Sequence, residues 1–426
     1  MGVGHERAGM TTTPSTETLV VPGPDALPAL VPHLVGFVPT DSVVLLGLSG
    51  PEHRVRLTMR WDLPPAATEP DVCADELRRL LPALVRAGSE SAILVVYPPA
   101  DQHPWVGPHP RDLPRRDLVV LLDRALEEQG LHLDDALCVA GDRVRSYLCE
   151  DVGCCPPEGR VIDAAESLRV NAAFVARGSA PLASREDLAA TLAPRSDDDP
   201  FVREVEGTLM LLGDCEAMLS VTDVDSFLLG LLAWGGPGGA VHLLAPLTAL
   251  ATALCQRIRS RDLLLRALAV DCSPEHLQLA RAVLQEAVRC ALPEETAPVA
   301  AVLAVSAWLG GDGASARVAL DRAAACDPAY SLAALVSAAL DHGTPPWEWT
   351  AMMRDLTVEA ILDATSPDYP DDAWDDDDWD PDDPDDPDDP EADLLGSRGA
   401  NLDEDPAAPG GPGEDGRADG APRDRL

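Results

Sequence analysis

The hydrophobic period of this chain changes once, near residue 160, and that change sets what the chain can fold into. Before it, Ser42 to Leu48 (SVVLLGL) and Ser91 to Tyr97 (SAILVVY) are continuous apolar runs of strand length. Runs of that kind suit strands covered on both faces. Val55 to Leu63 alternates, with Val55, Leu57, Met59 and Trp61 on one side, the pattern of a half-buried strand. Together with Ser42 to Leu48 it predicts a hairpin. A short helix over Ala26 to Val35 ends at Gly36, a second helix spans Asp75 to Ala87, and Asp117 to Gln129 is amphipathic and stops at Gly130. Asp135 to Val139 and Arg143 to Leu148 close the series as a strand pair around Gly141 and Asp142. The order β-β-α-β-α-β-β predicts an α/β domain over 18–160 with a mixed, partly parallel sheet.

Past that point the spacing is helical. Ser184, followed by Glu186 and Asp187, reads as a helix start whose hydroxyl meets the amide three residues on. Helices are expected near 203–219, 224–234, 240–258, 261–269, 275–292, 297–309, 314–326, 329–341 and 346–364, which makes 161–365 an all-α domain. Ala316, Leu320, Ala323 and Pro328, with Gly311 at the turn, match the second-helix spacing of a tetratricopeptide repeat. One such unit cannot bury its own face, and an ordinary hairpin packed through alanines accounts for the same residues. Ser226 to Gln256 carries no charged side chain, long enough for a membrane span. Gly235 to Gly239 and Pro246 cut it, so two buried helices are expected and no membrane.

Charge narrows the partners. The formal net charge is −41, and all 32 basic residues are arginine. Phosphate contacts need a basic face, so direct nucleic-acid binding is disfavoured and a basic protein partner is favoured. Much of the charge lies at the end of the chain. From Asp368 to Asp393 acids and prolines dominate without a base, and 366–426 is expected to be a disordered acidic tail. Residues 1–17 are expected to be a disordered lead. Met1 to Thr18 lacks the apolar stretch of a secretory signal, so a cytoplasmic setting is expected, in which the ten cysteines stay reduced.

Cys149, Cys154 and Cys155 are the candidate metal ligands. Three thiols within seven residues could hold zinc or iron, with Cys138 or His132 as a fourth donor across the hairpin. The spacing differs from the paired two-to-four-residue separations of common zinc sites, and adjacent cysteines diverge unless the backbone is contorted. A reversible thiol switch and buried structural thiols in a tight Pro-Gly turn are the alternatives. Asp41-Ser42, at the entry to the first strand, lacks a nucleophile elbow and reads as turn capping. The loop with His103, Trp105 and His109 reads as a rigid surface loop. Gly235 to Gly239 lacks the Lys and Ser/Thr of a phosphate-binding loop. Arg257, Arg259, Arg261 and Arg266 form the densest basic group, read as a solvated face beside Asp262 and Asp271, with docking of the acidic tail there as the alternative.

Three stretches carry a family likeness. They are Pro32 to Pro39 leading into Asp41 to Leu45, Ser146 to Cys149 with Cys154-Cys155-Pro156-Pro157-Glu158-Gly159, and Ala307 to Leu309 running through Gly311-Asp312-Gly313 to Asp327 to Leu332. From about Thr18 to Trp349 the chain resembles the actinobacterial domain-of-unknown-function family numbered forty-one ninety-two. The resemblance implies a cytoplasmic actinobacterial protein and brings no activity with it. The leading expectation is a non-enzymatic interaction or regulatory protein using its helical half and acidic tail; the alternatives are a metal- or thiol-dependent protein centred on Cys149, Cys154 and Cys155, and an enzyme with its pocket at the carboxyl ends of the parallel strands, near Pro98 or Asp62.

Overall fold

The structure is a computed structural model and describes residues 26–64, 79–99, 104–105, 107, 109–176, 180–213 and 220–363. The expected lead over 1–17 and tail over 366–426 lie outside the described residues. The sheet has six strands: β1 (Ser42–Ser49), β2 (Arg54–Asp62), β3 (Ser91–Tyr97), β4 (His132–Ala140), β5 (Arg143–Ser146) and β6 (Arg160–Val161), in the spatial order β2-β1-β3-β4-β5-β6. β3 and β4 are parallel, and the other neighbouring pairs are antiparallel. The mixed, partly parallel sheet is therefore present. Every residue of β1 is buried, as its unbroken apolar run requires of a strand held between two others and covered on both faces.

Alternate residues of these strands feed two separate cores. Val43, Leu45, Leu94, Val96, Ala136 and Cys138 face Leu84 of α2 (Pro82–Arg86) and Leu118, Leu122 and Leu126 of α3 (Arg116–Glu128), the helix that crosses between the parallel strands. Val44, Leu46, Val95, Leu137 and Val139 face Leu30, Val31 and Val35 of α1 (Leu27–Val35) and Val170 of α4 (Ala164–Val175). Helices thus cover both faces of the sheet, and this layer carries on past residue 160 through β6 and α4. Gly36 ends α1 with a positive φ of 79°, a conformation that glycine adopts without a Cβ penalty. The expected helix over Asp75 to Ala87 is described only in its last part.

The remainder is helical: α5 (Arg185–Ala190), α6 (Pro200–Gly213), α7 (Val221–Trp234), α8 (Leu244–Gln256), α9 (Ile258–Val270), α10 (Pro274–Cys290), α11 (Pro293–Leu309), α12 (Gly313–Cys326), α13 (Ser331–Asp341), α14 (Pro346–Asp355) and α15 (Val358–Asp363). Ser184 caps α5, its hydroxyl accepting from the Asp187 amide. α11 is buried continuously from Val299 to Trp308, and it has no charged residue after Glu295. A helix apolar on all sides is stable only when other helices surround it, and this one is the hub of the largest core. Ala316, Leu320 and Ala323 of α12 are buried against that core, with Gly311 in the turn between α11 and α12.

The uncharged stretch resolves into α7, ended by Gly235 with φ 71°, and α8. Among the described residues no single helix is long and apolar enough to cross a membrane; one pair, Val241–Gln256 with Ile258–Val270, passes by composition but is bent by 116°. The single helix expected over 346–364 is two. Leu356 is extended, and the Thr357 hydroxyl accepts from the Ala360 amide, which restarts the chain as α15.

The sheet layer and the helices share contacts. Phe37, just after α1, belongs to the helical core. Its neighbours bond to Leu182 through Val38 N–H to Leu182 C=O (2.9 Å) and Leu182 N–H to Gly36 C=O (3.0 Å).

Candidate metal centre

The loop from Tyr147 to Gly159 connects β5 to the edge strand β6, so the sheet ladder holds both of its ends. The Tyr147 amide still donates to Ala136 C=O (2.7 Å), and its hydroxyl donates to Pro114 C=O (2.6 Å). The chain then leaves the ladder, which shortens the expected strand from Leu148 to Ser146. Arginines satisfy the loop's carbonyls. Arg116 donates to Tyr147 C=O, Arg143 to Gly159 C=O (2.8 Å), and the buried Arg145 to Pro157 C=O (3.1 Å) and Gly107 C=O (3.0 Å).

Ser146 sets where the first cysteine starts. Its hydroxyl donates to Asp135 Oδ1 (2.6 Å) and accepts from the amides of Leu148 (3.0 Å) and Cys149 (3.1 Å). That uses the donor and both acceptor positions of one hydroxyl. Burial holds the Asp135 carboxyl above the usual carboxylate range, against the lowering effects of the Ser146 hydroxyl and the Ala136 amide. Asp151 sets the other two cysteines. Its Oδ1 accepts from Gly153 N–H (2.8 Å), and its carbonyl accepts from the amides of both Cys154 (3.1 Å) and Cys155 (2.7 Å).

The result is a convergence of thiols. The Sγ atoms of Cys149, Cys154 and Cys155 all lie within 4.8 Å of one another. Cys155 is buried, Cys149 half-buried and Cys154 exposed. Burial pushes the Cys155 thiol up to about 11, with a Ser146 backbone hydrogen bond acting in the lowering direction and the two neighbouring thiols raising it. Arg160 Nη1 lies 3.9 Å from Cys154 Sγ. The backbone contortion that adjacent cysteines need in order to converge is thus present, supplied by the turn at Asp151.

Neither expected fourth donor joins the three. Cys138 points into the core between sheet and helix, beside Tyr147, and burial pushes its thiol up to about 12. His132 opens β4 opposite Ser91. Among the described residues no histidine, aspartate, glutamate or further cysteine joins the group.

The other sequence candidates fall elsewhere. Ser42 is buried, with its hydroxyl bonded to Thr40 C=O and accepting from Arg60 Nε (3.0 Å) and Nη2 (2.7 Å), so it fixes the turn at Asp41, whose φ is 43°. Asp62, Ser42 and Tyr97 occupy one rung of the sheet, which puts both ends named for an enzyme pocket on one side. The Tyr97 hydroxyl there is buried without a hydrogen-bond partner among the described residues, and burial raises its pKa. The His109 amide donates to Asp112 at the start of a 3₁₀ turn, while His103 lies outside the described residues. The basic group is not a solvated face throughout. Arg261 bonds Asp262 (3.0 Å) and the Tyr330 hydroxyl (2.9 Å), and Arg266 bonds Leu356 C=O (3.0 Å) and Asp271 (3.2 Å).

The site had a sequence signal in its three cysteines; its supporting residues, Ser146, Asp135 and Asp151, had none beyond an Asp-x-Gly pattern at Asp151. No curated protein and no solved structure matches the chain. The model of one family, described as "Domain of unknown function (DUF4192)", matches residues 24–347, which takes in the sheet, the thiol loop and the helices through α13, and the chain belongs to that family.

Proposed function

We propose that the protein holds a thiophilic ion on Cys149, Cys154 and Cys155, and that this ion ties the β5–β6 loop to the sheet edge. The observation that carries the reading is the convergence of three Sγ atoms to within 4.8 Å on a loop anchored at both ends. Three bonds of about 2.3 Å from one ion put the sulfurs roughly 3.8–4.0 Å apart, so the trio, within 4.8 Å of one another, closes on an ion by a shift of about 1 Å or less. Soft thiolate donors select zinc, iron or other thiophilic ions over magnesium or calcium. Bound to three sulfurs, the ion would bridge residues from both sides of the Asp151 turn.

The test is elemental analysis of the full chain purified under reducing conditions, beside Cys149→Ser and Cys155→Ser. About one equivalent of a thiophilic ion in the parent, lost in both variants, is the expected result. Equal metal content in all three proteins would overturn the reading.

A second reading, an interaction or regulatory protein with a basic protein partner, draws on a different observation. Leu229 and Leu232 lie on the outer side of α7, 67% and 53% exposed, in a chain of formal charge −41. The two leucines offer apolar anchors on an uncharged stretch of helix, and the net negative charge of the chain would steer a basic partner towards it. Recovery of such a partner from the native host by the parent, and not by a Leu229→Asp variant, tests it.

A further inference from the structure

We propose that the trio Cys149, Cys154 and Cys155 is a site for a trivalent arsenic hydroxide, bound through three sulfurs with no fourth protein ligand. The inference rests on the thiophilic-ion reading above and names the ligand class.

Coordination number is the first argument. Closed structural zinc sites take four protein ligands. Here three sulfurs lie within 4.8 Å of one another, and among the described residues no fourth donor of the histidine, carboxylate or thiol type joins them. Trivalent arsenic makes three bonds and carries a lone pair where a fourth ligand would sit. A cup of three sulfurs, without a fourth such donor among the described residues, matches that shape.

Charge is the second argument. A divalent ion on three thiolates leaves one net negative charge, in a loop that already carries Glu150, Asp151 and Glu158. Arg160 stands by Cys154, at the exposed side of the group, while Cys155 is buried. A neutral product avoids placing unbalanced charge at the buried sulfur. The step balances without an oxidant: As(OH)₃ and three Cys–SH groups give As(S–Cys)₃ and three waters. Three As–O and three S–H bonds break, three As–S and three O–H bonds form, and arsenic stays trivalent throughout. Cys154, exposed, offers the entry point. The loop then presents Cys155 and Cys149 without a large rearrangement, since the turn at Asp151 and the β5–β6 pairing already hold them.

The experiment titrates the reduced full chain with arsenite and, separately, with zinc, and counts the thiols protected from an alkylating reagent. The triple variant Cys149→Ser/Cys154→Ser/Cys155→Ser gives the background from the other cysteines, and circular dichroism checks its fold. Arsenite is expected to protect three thiols per equivalent, with no net proton release in weakly buffered solution. Each single serine variant is expected to weaken it by about a hundredfold, the loss of one arm of a multidentate contact. Zinc binding on the trio without arsenite protection would overturn the proposal and leave the thiophilic-ion reading standing. Protection by neither probe would overturn the proposal, and the elemental analysis above then decides the thiophilic-ion reading by itself.

Discussion

Replacing Ser146 by alanine tests whether the thiol loop is positioned from the sheet. The Ser146 hydroxyl donates to Asp135 and accepts from two backbone amides, those of Leu148 and Cys149. Ser146 itself is 5% exposed, so the methyl group of alanine leaves a site that water reaches poorly. Each lost hydrogen bond costs about 0.5–1.5 kcal/mol net, and one to a charged group somewhat more. With partial rescue by water at Leu148, whose side chain is exposed, the sum is about 2–4 kcal/mol. Urea denaturation of the metal-free chain should show that loss as a lower midpoint with an unchanged slope. Loss of a residue that orients ligands should also weaken thiophilic-ion binding by about 10–100-fold. A combined Asp135→Asn/Ser146→Ala cycle should then give a coupling of about 0.5–3 kcal/mol, because the two side chains touch. A stability change below about 0.5 kcal/mol, in the range of a neutral surface substitution, would refute the anchoring role.

Two further outcomes follow from other contacts. Because burial raises the folded-state pKa of Asp135, its contribution to stability is complete below the unfolded carboxylate value of about 3.9 and is lost as pH rises through the folded value. Asp135→Asn keeps an oxygen acceptor for Ser146 and cannot ionise, so its stability relative to the parent should be lowest in acid and improve towards neutrality; urea melts across that range check it, and a parallel offset at every pH would contradict the burial argument. Gly343→Ala probes the seam between the helices and the sheet layer: Gly343 has a φ of 62°, and a Cβ there would sit 2.0 Å from that of the buried Ala83. Left-handed strain of about 1–2 kcal/mol and overpacking of about 1–3 kcal/mol together predict a marked fall in melting temperature, and an unchanged one would mean that the seam yields freely.

The sheet was legible because its signal is local and strong. The runs of β1 and β3 are apolar without interruption, and a strand of that kind has few places to go except between two covered faces. The long helices were legible for a similar reason, with α11 so apolar that only a central position suits it. α4 was not. Of its residues only Val170 is fully buried, so its apolar stripe is faint, and its clearest marker is the Asp163 side chain capping the amides of Ala165 and Glu166. The break between α14 and α15 was hidden as well, since nothing in Leu356-Thr357 interrupts the helical spacing; the Thr357 hydroxyl that caps the restart acts only once the chain has turned.

The thiol site shows how a correct local rule can point away from a real convergence. Side chains of adjacent residues leave an extended backbone on opposite sides, and from that rule Cys154 and Cys155 should not face one ion. The rule assumes extended backbone. Asp151-Val152-Gly153 supplies a side-chain-to-backbone turn instead, and the Asp151 carbonyl gathers the amides of both cysteines, so the chain curls through them. Aspartate two residues before glycine is common in loops and carries no metal information by itself. It becomes informative here because the residue that begins the loop, Ser146, fixes Cys149 from the opposite end through a hydroxyl already committed to Asp135. Two independent anchors, one on each side of the loop, bring the sulfurs together, and neither alone would do so. Asp151→Ala removes the Oδ1 bond to Gly153 N–H and keeps the backbone carbonyl, so it should loosen the turn before Cys154 and Cys155 without freeing it: thiol alkylation of the metal-free chain quickens at Cys155 and stays unchanged at Cys149, and an unchanged rate at Cys155 would mean that the backbone bonds alone hold the turn.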